Sequence, residues 1–321
     1  MTRISTVELT DLCEQAALRA GADTASARSL ADATVQSERV GNRAVGVGHL
    51  FDYLDGYREG RISNAAPEVR RPGGAVFAVD AREGLAQESF QTVREDLVAT
   101  AKDLGIAALW VSNSFTCGEL GYYPRAVASE GLIGFAAANS PALMSIGGSP
   151  SRLLGTNPLA YGFPRPGTLP AVIDQASSAT AFVNIRRAAD TGQDIPAGWA
   201  LNSSGEPTQD PAEAIEGTLL PFGSHRGGNI ALLIEILATL AGGNFSVDAP
   251  AFDSGDQSPG IGVFLLCIDP EKFGGSVERL SSQLGLLRDE HGVRLPALEL
   301  TELPDEVEIA DDLLARLRAA A

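Results

Sequence analysis

The stretch Leu219-Leu220-Pro221-Phe222-Gly223-Ser224-His225-Arg226-Gly227-Gly228-Asn229 concentrates residue types that bind and react. Its three glycines let backbone N–H groups approach a ligand closely. An apolar run follows it, and the N-terminus of a helix favours anions. Arg226 has the fork geometry to clamp a phosphate or carboxylate, and His225 is its titratable neighbour. A tight turn into a core helix, with His225 and Arg226 in solvent, would use the same residues. A second candidate is Asp174, which ends the apolar segment Ala171-Val172-Ile173. A carboxylate there can orient a proton donor, grip an amino or imino group, or simply cap a helix. Cys117 has no activating partner in sequence, so an inert buried thiol is expected.

These residues need elements to hold them. Ile230 to Ala241 carries one charge, Glu235, and reads as a helix buried nearly all round and stopped by Gly242-Gly243. Ser5 and Glu8 form a capping box for a first helix that ends at Gly21. A second helix is expected over 24–39 and a third over 48–59. Together the three carry more apolar surface than one small layer can bury. After the proline-containing stretch 64–74 the pattern changes. Strands are expected at 75–80, 106–111, 132–138, 171–174 and 260–268, and helices at 87–104, 122–129, 177–189, 276–287 and 305–320. Residues 192–217 read as loop. Strands and helices mix without strict alternation, and no G-x-G-x-x-G joins a strand to a helix, so a Rossmann domain is not expected.

Composition narrows the function classes. The chain is 44% hydrophobic and 20% charged, which supports a large core. Its net charge of −17 argues against nucleic acid or an anionic membrane as partner, yet permits a nucleotide at a local positive site. Cys13, Cys117 and Cys267 are scattered and odd in number, which suits a reducing cytoplasm. His49, His225 and His291 show no metal-ligand spacing, so no metal is expected. No apolar run is long enough for a membrane span.

Several stretches in order resemble the type-2 malate/L-lactate dehydrogenase family, whose relatives include sulfolactate dehydrogenases and cyclic imino acid reductases. They are Val111-Ser112-Asn113-Ser114 with Gly118, Gly121, Tyr122 and Tyr123; Gly131-Leu132-Ile133-Gly134 with Asn139-Ser140; Leu154-Gly155-Thr156-Asn157-Pro158; Ile173-Asp174 with Ala176-Ser177-Ser178; Gly198-Trp199-Ala200-Leu201; and Leu219-Leu220-Pro221 with His225-Arg226-Gly227. The resemblance implies an α/β fold: a helical domain plus a non-Rossmann α/β domain with a mixed sheet that binds NAD or NADP. We place the helical domain at 1–74 plus 276–321 and the nucleotide- and substrate-binding domain at 75–275. The family also implies a homodimer with active sites near the interface. By position, Ser140, Thr156, Asn157, Asp174, Gln175, Ala176, Arg226 and Gly227 would lie along the dinucleotide.

The departures bear on the chemistry. The family usually has Asp-Ser-His-Gly where this chain has Arg43-Ala44-Val45-Gly46, and Asn-His-Phe-Gly where it has Phe115-Thr116-Cys117-Gly118. The two histidines that exchange protons with substrate are thus replaced by Val45 and Thr116, and the family's next arginine is His49. The remaining catalytic candidates are Asp174, His49, Thr116 and His225. His49 lies one helical turn after Val45, on the same face. The reading is an NAD(P)-dependent oxidoreductase acting on an unusual small molecule. A cyclic imine is attractive because its nitrogen arrives already protonated. A repurposed enzyme with non-redox chemistry on a nucleotide-like or carboxylate substrate, or a non-catalytic binding protein, are the alternatives.

Overall fold

A computed structural model describes all 321 residues. The chain opens with strand β1 (Thr2–Ser5) and helices α1 (Thr6–Ala20), α2 (Thr24–Arg39) and α3 (Val47–Arg58). Ser5 caps α1 and Asp23 caps α2, each accepting a backbone N–H of the first turn. Strands β2 (Glu68–Gly73) and β3 (Val76–Asp80) form a hairpin, and α4 (Ala86–Leu104) leads to β4 (Ile106–Ser114), parallel to β3. Next come α5 (Tyr122–Ala128), β5 (Ile133–Ala138), β6 (Leu159–Phe163) and β7 (Ala171–Gln175). A smaller lobe holds α6 (Phe182–Thr191), β8 (Ala200–Leu201), β9 (Pro207–Thr208), α7 (Pro211–Glu216) and β10 (Thr218–Leu219). Helix α8 (His225–Thr239), β11 (Ile261–Ile268), α9 (Val277–Asp289), β12 (Glu306–Ile309) and α10 (Asp311–Ala320) complete the chain.

The main sheet has seven strands in the order β2-β3-β4-β11-β5-β6-β7, and β3–β4 is its one parallel pair. Central β11 is buried on both faces. Val263, Leu265 and Cys267 join Phe90 and Leu97 of α4, while Phe264 packs with Ile234 of α8. A separate core unites α1, α2 and α3 with Val307, Ile309, Leu314 and Leu317, and β1 pairs antiparallel with β12. A third, around Met144, Ile185, Ile195 and Leu219, fills the small lobe, whose strands order β10-β8-β9.

Several expectations are corrected. Helix α8 begins at His225, not at Ile230, so the glycine-rich stretch supplies its first turns. It is not buried all round: Leu232, Leu233, Ile236 and Leu240 are 45–64% exposed. Glu235, the one charge, is buried at 4% exposed, alongside Ala231, Ile234 and Ala238. The opening helices do bury their apolar faces, because α10 and β12 cover them. Stretch 68–73, placed with the helical domain, is an exposed edge strand of the main sheet, and α9 has no buried residue. Helix α6 starts at Phe182 because Ser177 and Ser178 are held in extended pairing, with Thr156 and Pro221 respectively. The last helix starts at Asp311, since 306–309 forms β12.

Candidate active site

The start of α3 is fixed from outside. The Glu38 carboxylate on α2 accepts the Val47 N–H at 2.8 Å, and a Cβ at Gly46 would lie 2.1 Å from Glu38 Oε1. Any side chain at position 46 would push that carboxylate away. On the helix so placed, His49, Asp52 and Tyr53 stand at i, i+3 and i+4, on one face. His49 Nδ1 meets Asp52 Oδ2 at 2.7 Å. Its other nitrogen, Nε2, faces Thr116 Oγ1 at 3.4 Å. Thr116 Oγ1 also bonds the Tyr53 hydroxyl, which accepts from Gln87 Nε2 at 2.9 Å. Tyr53 and Phe252 both meet the His49 ring edge-on, with centroids 5.1 and 5.7 Å away. Thr116 enters from the loop between β4 and α5, so two catalytic candidates 67 positions apart are brought together. Val45 is half-buried in the turn before α3, and Arg43 is exposed.

The same loop also meets the second acid. Asp174, near the end of β7, accepts the Gly121 N–H through Oδ2 at 2.8 Å. Burial pushes its carboxyl up to about 6; the Gly121 amide opposes the shift and the Glu119 charge adds to it. Glu119 is itself buried and paired with Arg125. Cys117 is pushed up to about 12, first by burial and then by the Asp174 charge, so its thiol is inert.

The predicted dinucleotide residues fall just after β5, just before β6, at the end of β7 and in the first turn of α8. Register places Leu159 opposite Gln175, and Ser177 N–H donates to Thr156 O at 2.8 Å. Asn157 is fully buried with φ of +33°. Its Nδ2 donates to Ala231 O at 3.0 Å and to Glu235 Oε2 at 2.8 Å, both on α8. Glu235 also accepts from Ser246 N and Oγ, each at 2.6 Å. The Asn157 side chain is thus spent tying the turn to α8, not turned outward. Gly155 is pressed against Ser140; a Cβ there would lie 2.2 Å from Ser140 Oγ and 2.7 Å from Asn157 Oδ1.

Three observations fit a dinucleotide here. Ser140 Oγ is buried without a partner. The first turn of α8 has no side-chain cap, its N-cap Ser224 having φ of +58°. Arg226 is exposed in that turn and in no ion pair. Gly227 is buried, and a Cβ would lie 2.1 Å from Phe222 O, so the turn needs glycine. Thr156 and Ala176 are half-buried and Gln175 is exposed on the same margin. His225 opens α8, exposed and without a side-chain hydrogen bond, apart from the His49 chain.

Sequence reasoning missed Asp52, Tyr53, Gln87 and Glu119. The i, i+3, i+4 spacing of His49, Asp52 and Tyr53 was the available signal. Nothing local links Gln87 or Glu119 to the site.

Comparison with known proteins identifies the family. A family model described as malate/L-lactate dehydrogenase matches residues 4–293. The chain is 34% identical over 329 residues to the (2R)-3-sulfolactate dehydrogenase (NADP(+)) of Chromohalobacter salexigens, covering 100% of this chain and 99% of that protein. It is 34% identical over 334 residues to the delta(1)-pyrroline-2-carboxylate reductase of Pseudomonas fluorescens, covering 99% of each. The crystal structure of delta1-piperideine-2-carboxylate reductase from Pseudomonas syringae pvar. tomato superposes with a TM-score of 0.92 at 31% identity, over 100% of both chains. The chain belongs to the malate/L-lactate dehydrogenase family. It is an enzyme, an oxidoreductase.

Proposed function

We propose that this chain uses NADH or NADPH to reduce the C=N bond of a cyclic 2-imino carboxylate. The observation that carries this reading is Asp174, a largely buried carboxyl pushed up to about 6 beside the Thr116–Gly121 loop. Above that pH it is an anion short of solvent, and a cationic N–H is the partner that offsets its burial. An iminium nitrogen is such a partner; the carbonyl oxygen of a 2-oxo acid is not. A bound reduced nicotinamide supplies the hydride. Ser140, Thr156, Gln175, Ala176, Arg226 and Gly227 would hold it, and Asn157 would brace the turn beneath. The active site diverges from the family pattern at Val45, which holds no proton, and at Thr116, which has a hydroxyl instead of an imidazole. Relatives reducing pyrroline- and piperideine-2-carboxylates support the substrate class.

Steady-state turnover tests this reading. With either dinucleotide, the cyclic imines should exceed pyruvate, oxaloacetate and the oxo acid of 3-sulfolactate in kcat by about 10²-fold or more, the usual contribution of a matched general acid. A second reading, reduction of a sulfonated 2-oxo acid, has the sulfolactate relative and the His49–Thr116 contact in its favour. Preference for that oxo acid would replace the first reading.

The reading includes a cytoplasmic homodimer. Its support is the apolar face of Leu232, Leu233, Ile236 and Leu240, continued by Phe245 and Val247, all 45–64% exposed. A contiguous face of this kind on a water-borne protein calls for a partner surface, and a second copy brings an identical one. The mainly helical domain (1–74 plus 276–321) and the α/β domain (75–275) remain the proposed division, with β2 moved to the latter. Light scattering should give a dimer mass, and Ile236→Glu a monomer. A monomeric wild type at micromolar concentration would end the dimer reading.

A further inference from the structure

The contacts around His49 form an unbroken line from the surface to the interior. Asp52 has 36% of its side chain exposed and His49 has 13%. Beyond them stand the buried Thr116 and Tyr53 hydroxyls and the buried Gln87 amide. His49, Thr116 and Tyr53 can each both donate and accept, whereas Asp52 only accepts and Gln87 enters through its Nε2 donor. With Asp52 accepting from Nδ1–H, Nε2 is left bare and accepts from the Thr116 hydroxyl, whose oxygen accepts from Tyr53. When Nε2 carries a proton the line reverses. His49 donates to Thr116 Oγ1, Thr116 donates to the Tyr53 oxygen, and Tyr53 donates to the Thr116 carbonyl, 3.4 Å away. Gln87 donates to the Tyr53 oxygen in both states and holds it in place. The 3.4 Å His49–Thr116 contact is long, as acid–base contacts are before a substrate packs against them.

Resting on the reductase reading, we infer that Thr116 and His49 relay the proton to the substrate nitrogen and that Asp52 is the residue that positions His49 for it. As hydride adds to the carbon of the C=N bond, the π pair moves to nitrogen. Nitrogen takes the Thr116 hydroxyl proton, and the Nε2–H of protonated His49 passes to the Thr116 oxygen. His49 is left neutral, with its Nδ1–H on Asp52 and Nε2 bare, and Nε2 regains a proton through Thr116 from the water that replaces the product. Asp174 faces the N–H that the iminium already carried, and the relayed proton makes the product a secondary ammonium. Thr116 is the catalytic residue in this step. Asp52 touches no reacting atom and acts through the tautomer of His49.

The test pairs kinetics with side-chain ¹⁵N NMR, and three histidines in the chain make assignment simple. Asp52→Asn should lower kcat for imine reduction roughly 10²-fold, the cost of misplacing an acid–base group, with KM and dinucleotide affinity unchanged. Asp52→Glu should recover most of it. Thr116→Val should match Asp52→Asn, and Thr116→Ser should restore turnover. The wild-type spectrum should show the His49 proton on Nδ1, and Asp52→Asn should lose that signature. An unchanged kcat in Asp52→Asn, a loss confined to KM, or a neutral wild-type His49 with its proton on Nε2 instead of Nδ1 would overturn the relay. Absence of imine turnover in the wild type would strike the substrate reading alone, and the tautomer spectrum would then decide for or against the Asp52–His49 arrangement.

Discussion

Replacing Asp174 with asparagine should stabilise the protein while removing activity. The Asp174 carboxyl rises from 3.8 to about 6, with burial as the first cause. That is about two pKa units, and at 1.36 kcal/mol per unit the charged form costs the fold about 3 kcal/mol. The folded-state value lies above the unfolded one. The stability this group contributes is therefore full below about pH 4 and is lost as pH rises through about 6. Asparagine keeps an oxygen to accept from Gly121 N–H and never ionises. Urea unfolding at pH 8 should accordingly show Asp174→Asn more stable by about 1–3 kcal/mol, the lower figure allowing for relaxation around the charge. At pH 4 the two proteins should unfold alike. Imine turnover should fall in parallel, the trade expected where a costly group is kept for function. Equal stability of the two proteins at pH 8, or a variant less stable there than the wild type, would show that Asp174 is well solvated or well paired and would remove the case for it as a partner of a cationic substrate.

Other outcomes follow from the dinucleotide half of the site. Arg226→Ala should weaken NADPH or NADH binding by about 1.5–3 kcal/mol, the range for a charged hydrogen bond, as read by calorimetry. Gly155→Ala would set a Cβ 2.2 Å from Ser140 Oγ, so dinucleotide affinity should drop while circular dichroism keeps the native secondary structure.

Much of the fold was legible because its signals are local. The capping residues Ser5 and Asp23, the apolar spacing along α4 and the continuous run of β11 each fix an element from its own sequence. What escaped depends on distant partners. β1 and β12 are short strands that exist by pairing with each other, Thr2 opposite Ile309. β8, β9 and β10 have two residues each and no period to read. Helix α8 misled for a related reason: its apolar outer face mimics a core helix, and composition cannot tell a buried face from one open to a partner. In the site, Asp174 and His49 were visible as residue types in suggestive places. That Thr116 closes on His49, and that Gln87 and Tyr53 complete the line, follows from the packing of α3 and α4 around the loop after β4.

The central claim is hydride transfer to an imine carbon, and isotope transfer measures it directly. The enzyme should be given Δ1-piperideine-2-carboxylate with NADPH or NADH carrying deuterium on one face of C4 at a time. The account predicts a cyclic amino acid with one deuterium at C2, from one of the two labelled faces and not the other. Oxidation of the dinucleotide with no deuterium in the product, or label transferred only to 2-oxo acids, would contradict it.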